Sequence, residues 1–396
     1  MAVFNLNQVD IFISLVLMTS CCTTSHDTDL NSTSDIDTMT TSLSYFNETV
    51  VEIDVEMEAT SGFTWYPLNW AWWMITQTVL AILGIIGNGI VVVIVYQRYN
   101  SMRSTDIMIG ALAISDLLTS IFVFPIPWAK TIPNTILGHL YCKLLYPSFF
   151  LWFCITAATY ILLGICIERY VAIVYPLFFN RVSSKRRTTI FVLGLWLLSF
   201  LQVMYTFFIY IYDENIGYCV STIKTEIGRV VQAYYAITIR LFFPVTIMLI
   251  TQILIARSLH IQGKRFQEMV NSGKDEPSKQ TYHIVARNRI VKMMLIVVLV
   301  YVVTWCPNQI AYLCFNLGYI TPTYRGSPLH RILTVLGFLN SCINPFIYAA
   351  RNPAFRSAVL KLFLCSKPKD EAVFSAVGSH TKETKANPST SVPDAC

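Results

Sequence analysis

The chain has 396 residues, of which 54% are hydrophobic and only 13% charged, with a mean hydropathy of +0.53. Soluble domains carry about 25% charged residues, so a water-soluble globular fold is excluded and a membrane protein is the first reading. The net charge of +6 is unevenly spread: residues 1–97 hold ten acids and no Lys or Arg, and all 29 basic residues lie from Arg98 onward. That asymmetry fits orientation in a bilayer and argues against nucleic-acid binding.

Residues 1–70 are polar, acidic and Ser/Thr-rich, the composition of a disordered segment. They contain two glycosylation triplets, at Asn31 and Asn47. The apolar stretch 11–18 could serve as the core of a signal peptide over 1–20, although no basic residue precedes it. A long apolar domain follows over 71–350. It holds seven apolar runs, at 72–97, 105–127, 142–171, 188–211, 230–256, 290–316 and 328–350, each long enough for the roughly 20 residues a membrane helix needs.

Seven spans place the loops 98–104, 169–187 and 257–292 on the same side as the tail, and that side receives 22 of the 29 basic residues. Six fall on the side of the acidic N-terminal region, and Arg240 lies inside span 5. The positive-inside rule then puts the N-terminus outside and the C-terminus in the cytoplasm, as in a multi-pass plasma-membrane protein. Residues 351–365 read as a short amphipathic helix, with Phe355, Val359 and Leu362 on one face and Arg356 and Lys361 off it. Cys365 at its end is a palmitoylation candidate. Residues 366–396 read as a flexible cytoplasmic tail with many Ser and Thr. No C-x-x-C pair occurs among the eleven cysteines, so a zinc site has no support.

Polar residues inside spans are costly and are functional candidates by default. Here they are Asn88, Asp116, the Glu168-Arg169 pair, Arg240, Asn340 and Asn344. The bland alternative for each is a hydrogen bond to a neighbouring helix. Their surroundings form an ordered set, one per span: Gly87-Asn88; Leu112-Ala113 with Asp116; Glu168-Arg169-Tyr170; Trp196; Pro244; Trp305-Cys306-Pro307; and Asn344-Pro345-Phe346-Ile347-Tyr348. From Gly87 to Cys365 the chain resembles the rhodopsin-like (class A) G-protein-coupled receptors, and within them most resembles the neuropeptide-receptor branch.

That resemblance implies an all-α membrane protein, a seven-transmembrane helix bundle with a short amphipathic membrane-surface helix. It implies coupling to a heterotrimeric G protein through Glu168, Arg169, Tyr170 and the apolar knob Leu177. It implies an activation switch at Pro244, Trp305, Pro307, Asn344, Pro345 and Tyr348, whose prolines let a helix hold two geometries of similar energy. Asn88, Asp116, Asn340 and Asn344 would form a polar cluster around an allosteric sodium ion, with no other cofactor and no other metal. Cys142 and Cys219 would pair as a disulfide.

Four departures stand out against the family pattern. Ala158 replaces the usual serine at the sodium site, Gln252 replaces the usual tyrosine of span 5, and the foot of span 6, "VARNRIVK", lacks an acid to lock Arg169. The Cys142-to-Arg169 separation is two residues too long and contains Pro147, which implies a bulge or distorted first turn in span 3. That leaves open whether Phe149 or Leu151 faces the pocket.

Neither residue is the acid an amine receptor needs, and Phe338 stands where an opsin carries its lysine. The pocket candidates are Arg240, Phe149, Leu151, Tyr235, Trp305 and Gln309. The expected function is a receptor for an extracellular ligand, a neuropeptide; the alternative is a lipid or other small acidic ligand. A transporter is a distant reading, since no two related halves with broken helices are visible. An enzyme is not expected, since no catalytic cluster converges in the spans and His139 and His330 lie at outer ends. Further expected partners are the bilayer, and receptor kinases and arrestin acting on the Ser/Thr tail.

Overall fold

The computed structural model describes residues 62–271, 278–364 and 373–374. The expected glycosylation sites Asn31 and Asn47, the signal peptide, Cys365 and most of the tail lie outside the described residues. Among the described residues, seven helices are long and apolar enough to cross a membrane. In hydrocarbon every backbone group must be satisfied within the segment, so long apolar runs become helices.

The bundle consists of α1 (Trp72–Gln97), α2 (Ser104–Phe122), α3 (Phe149–Val174), α4 (Lys185–Val203), α5 (Glu226–Ile237 continued through a π turn into Phe243–Asn271), α6 (Ser278–Asn316) and α7 (Pro328–Arg351). A short helix, α8 (Pro353–Phe363), follows. The chain turns from α7 into α8 at Asn352, whose side-chain oxygen accepts from the N–H groups of Ala354 (3.0 Å) and Phe355 (3.2 Å). Pro353 occupies the first helical position, where its missing N–H costs nothing.

Of the boundaries that differ from the sequence reading, two bear on the site. Span 2, expected to reach 127, ends at Phe122, because Pro125 and Pro127 follow and disfavour helix in the residues before them. Span 3 starts earlier and is broken. A short helix at Ile136–Leu140 runs into a π turn at Tyr141–Leu145. After Pro147, Ser148 takes a left-handed φ of 54° before α3 begins. The distortion implied by the two extra residues is therefore present.

The helix α3 is the centre of the bundle and packs against α2, α4 and α5, while α1 packs on α2 and α7, and α6 on α7. Met108, Ile161, Ile165, Met248 and Val298 are fully buried at the heart of the core. Ile86, Leu193, Leu197, Ile253 and Phe346 point outward and remain exposed, as lipid-facing residues must. Gly87 lets α1 meet α7 at its proline: a Cβ there would lie 3.0 Å from Pro345 Cγ.

One end of the bundle carries two small antiparallel ladders, Thr64–Trp65 with Ala129–Thr131 and Tyr210–Asp213 with Tyr218–Ser221. The second, a hairpin, is tied to the start of span 3 by the Cys142–Cys219 disulfide, with a Cα–Cα distance of 5.2 Å. This is the disulfide end; Arg169 marks the opposite end.

Candidate functional site

Polar side chains gather in three layers along the bundle. At the Arg169 end, Glu168 and Arg169 form a forked ion pair, Nε to Oε2 at 2.5 Å and Nη2 to Oε1 at 2.6 Å. The pair is fastened to the first turn of α2. Ser104 Oγ donates to Glu168 Oε1 at 2.5 Å and Thr105 Oγ1 at 3.1 Å, and Arg169 Nη2 also bonds Thr105 Oγ1. Both charged side chains are only 11% exposed. Sequence reading missed Ser104 and Thr105, two common hydroxyl residues that only packing brings to Glu168. Tyr170 stacks edge-on with Tyr175 at 6.0 Å. Leu177, on a short helix at Pro176–Val182, is 86% exposed.

In the middle layer Asn344 Nδ2 donates to Asp116 Oδ2 at 2.8 Å. Asn88 Nδ2 donates to the carbonyls of Gly84 (3.0 Å) and Ser341 (2.8 Å). All three residues are buried, as is Asn340. Four buried oxygens have no partner: Oδ1 of Asn88, Asp116, Asn340 and Asn344. Such a set of hard oxygen donors suits an alkali or alkaline-earth cation. Ala158, buried nearby on α3, contributes no donor. Gln252 is buried and reaches Cys166 Sγ at 3.7 Å.

The upper layer surrounds Arg240, which sits in the π turn Thr238–Phe242. Its guanidinium lies over the Trp152 ring at 5.0 Å, and Nε and Nη2 are buried without a hydrogen-bond partner. The adjoining cavity is about 10 Å³ and is lined by Trp152, Thr156, Thr159, Tyr160, Tyr301, Trp305 and Gln309 among others; that is space for about one water.

The π turn leaves two carbonyls without their usual helical donors. The Phe243 N–H reaches Thr238 instead of Ile239, and Pro244 has no N–H to offer Arg240. Two tyrosines fill the vacancies: Tyr301 Oη donates to the Arg240 carbonyl at 3.0 Å and Tyr160 Oη to that of Ile239 at 3.4 Å. Sequence reading missed both; the signal available was a tyrosine one turn before Trp305 and a proline four residues after Arg240.

Two pocket candidates require correction. Phe149 is buried edge-on against Phe150 and Phe200, so the break at Ser148 has turned it toward α4. Leu151 packs against the core and does not line the cavity. Tyr235 is 40% exposed and stacks on Tyr205 at 5.4 Å. The α3 residue that meets Arg240 is Trp152, which neither register considered for Phe149 and Leu151 selected. Trp305 and Gln309 line the same cavity as Arg240.

Toward the disulfide end opens a vestibule of about 1110 Å³. Its walls include Trp128, Tyr146, Tyr210, Tyr312, Phe315, Glu226, Arg229 and Arg325. Burial, and then the neighbouring Tyr312, push the Tyr210 phenol above its ordinary range, so it stays neutral.

The sequence matches the family profile "7 transmembrane receptor (rhodopsin family)" over residues 87–348. The chain belongs to this family. Its curated relatives are distant. An "Allatostatin-A receptor" from Bombyx mori is 24% identical over 326 residues, covering 80% of this chain and 85% of the relative. A "QRFP-like peptide receptor" from Branchiostoma floridae is 26% identical, covering 74% and 77%. A "Rhodopsin, GQ-coupled" from Mizuhopecten yessoensis is 28% identical, covering 75% of this chain and 61% of the relative. As a rhodopsin-family receptor the protein is a multi-pass plasma-membrane protein and not an enzyme.

Proposed function

We propose that the protein is a cell-surface receptor that binds an extracellular peptide at its disulfide end and activates a heterotrimeric G protein at its Arg169 end. The N-terminus is outside and the C-terminus cytoplasmic, in keeping with the concentration of basic residues on the Arg169 side and a disulfide on the oxidising side.

The observation that carries the peptide reading is the vestibule. At about 1110 Å³ it exceeds the roughly 300–1,000 Å³ of small-molecule pockets, and aromatic rings alternate there with charged side chains. The names of several relatives, allatostatin-A and QRFP-like peptide receptors among them, support the same reading. The unpartnered Arg240 favours a ligand with an anionic group, and on that ground a small acidic ligand or lipid is the second reading. The water-sized cavity beside it means that such a group enters only if Trp152 or Trp305 shifts.

Asp116 with Asn88, Asn340 and Asn344 would hold a sodium ion, whose charge offsets the buried carboxylate; Ala158 removes one ligand from that shell. Arg169 would exchange Glu168 and Thr105 for G-protein groups when the helices part, with Tyr170 beside it and Leu177 docking as an exposed apolar knob. Trp305, Pro307, Pro244, Asn344, Pro345 and Tyr348 would form the moving parts between the two ends. Receptor kinases and arrestin would act on the Ser/Thr-rich tail.

A peptide screen on receptor in lipid nanodiscs, read by guanine-nucleotide exchange on purified G protein, tests the reading. An active peptide should drive exchange in the wild type and bind to Arg169→Ala without driving it. Exchange by Arg169→Ala at the wild-type level would refute the coupling role. Activation by lipids or small acids alone would replace the peptide reading with the second one.

A further inference from the structure

Two residues of the C-terminal region are packed into the bundle. Val373 and Phe374 lie beyond the end of α8, yet Phe374 is fully buried and Val373 is 6% exposed. The Phe374 ring rests 5.3 Å from Tyr348 and 5.7 Å from Phe355. Its backbone N–H donates to Asp106 Oδ1 at 2.9 Å, and the Val373 carbonyl accepts from Asn352 Nδ2 at 3.0 Å. Asp106 and Asn352 are themselves buried. An apolar slot between Tyr348 and Phe355 thus takes the ring, while one acceptor and one donor on opposite walls satisfy the dipeptide's backbone.

The walls of that slot belong to the coupling end. Asp106 adjoins Ser104 and Thr105, which hold Glu168 and Arg169, and its other oxygen accepts from the Arg103 N–H at 3.0 Å. Tyr348 closes the segment Asn344–Tyr348 of α7. With Phe374 seated, its ring packs between α7 and α8 while its backbone N–H is bonded to α2, so the dipeptide bridges three helices beside Tyr348.

We propose that the Val373-Phe374 segment is an intramolecular plug that holds the Arg169 end closed and must leave before a G protein engages. This rests on the coupling role proposed above for that end. The occupant is the chain's own tail, so the slot is a docking site for an extended Val-Phe pair.

The test uses full-length receptor in nanodiscs. A photo-crosslinking phenylalanine analogue at position 374 should attach to residues 348–355. Phe374→Ala should raise ligand-independent nucleotide exchange about five-fold or more, the factor that small changes in stability produce. Phe374→Leu, which refills the slot, should restore most of the low rate. With no G protein present, spin labels at Leu177→Cys and Leu360→Cys should show one distance in the wild type and a second population in Phe374→Ala. Crosslinks that miss 348–355 overturn the plug, as does a Phe374→Ala receptor with wild-type basal exchange and wild-type label distances. No exchange from any variant, with the second population still seen, overturns the G-protein reading and leaves the plug standing.

Discussion

Tyr301→Phe removes one hydroxyl and keeps the ring. The hydroxyl donates to the Arg240 carbonyl at 3.0 Å, whose α-helical donor would be residue 244, a proline. Without it a buried backbone acceptor is orphaned, at a cost of about 1–3 kcal/mol. Tyr160→Phe should cost less, since its bond to Ile239 is longer at 3.4 Å. The buried thiols of Cys154, Cys166, Cys306 and Cys342 give a built-in assay: a thiol-reactive fluorophore reports their exposure as the purified receptor is heated. Tyr301→Phe should expose them at a clearly lower temperature than the wild type. Pro244→Ala supplies the missing N–H, so on the Tyr301→Phe background it should recover part of the loss, with a coupling of about 1 kcal/mol in a double-mutant cycle. If Tyr301→Phe melts with the wild type, or if the two changes add independently, the tyrosine does not replace the proline's missing donor and the reasoning fails.

The remaining predictions concern the middle and upper layers and their cap. Cys142→Ser or Cys219→Ser should abolish ligand binding by freeing the hairpin at the vestibule, and non-reducing mass spectrometry of the wild type should recover the two peptides joined. Asp116→Asn should remove the sodium dependence of agonist affinity; a sodium titration that still shifts affinity in this variant would place the ion elsewhere. Arg240→Ala should lower agonist potency severely and Arg240→Lys moderately, since lysine keeps the charge without the fork. An agonist analogue with its anion neutralised should lose affinity at the wild type and much less at Arg240→Ala; simple addition of the two losses would show that Arg240 does not touch the anion.

The parts of the fold legible in the sequence were those set by local chemistry. Seven apolar runs, the amphipathic stretch that becomes α8 and the excess length before Arg169 were all visible, and the structure carries each. What escaped depends on how helices turn against one another. Ser148 in a left-handed conformation rotates everything after it, so Phe149 meets α4 and Trp152 meets Arg240. No residue count predicts that rotation, because its size depends on the π turn at Tyr141–Leu145 as well. Ser104 and Thr105 look like ordinary cap-region residues until α2 lies beside α3. Phe374 sits in a polar tail whose composition gives no sign of a buried ring. Polar residues in spans announced themselves, as did the pairings of Asp116 with Asn344 and Glu168 with Arg169; the hydroxyl partners Ser104, Thr105, Tyr160 and Tyr301 did not.

The three layers differ in what they lack. Arg240 has two unpartnered guanidinium nitrogens, and Asn88, Asp116, Asn340 and Asn344 each have an unpartnered oxygen. A buried polar atom without a partner costs about 1–3 kcal/mol, so these are the places where an arriving anion and an arriving cation gain most. The Glu168–Arg169 layer is the reverse: both carboxylate oxygens are bonded, one of them several times. Opening that end forfeits bonds unless a partner supplies replacements. A ligand shifts a two-state equilibrium only by its differential affinity for the two states. An anion that met Arg240 equally well in both arrangements would raise affinity without signalling. The bias must therefore come from a geometry that differs between them. The Arg240 carbonyl bond to Tyr301 ties this guanidinium's own backbone to the helix of Trp305 and Pro307, so on the proposed reading a ligand that pulled on Arg240 would act on α6 through that bond.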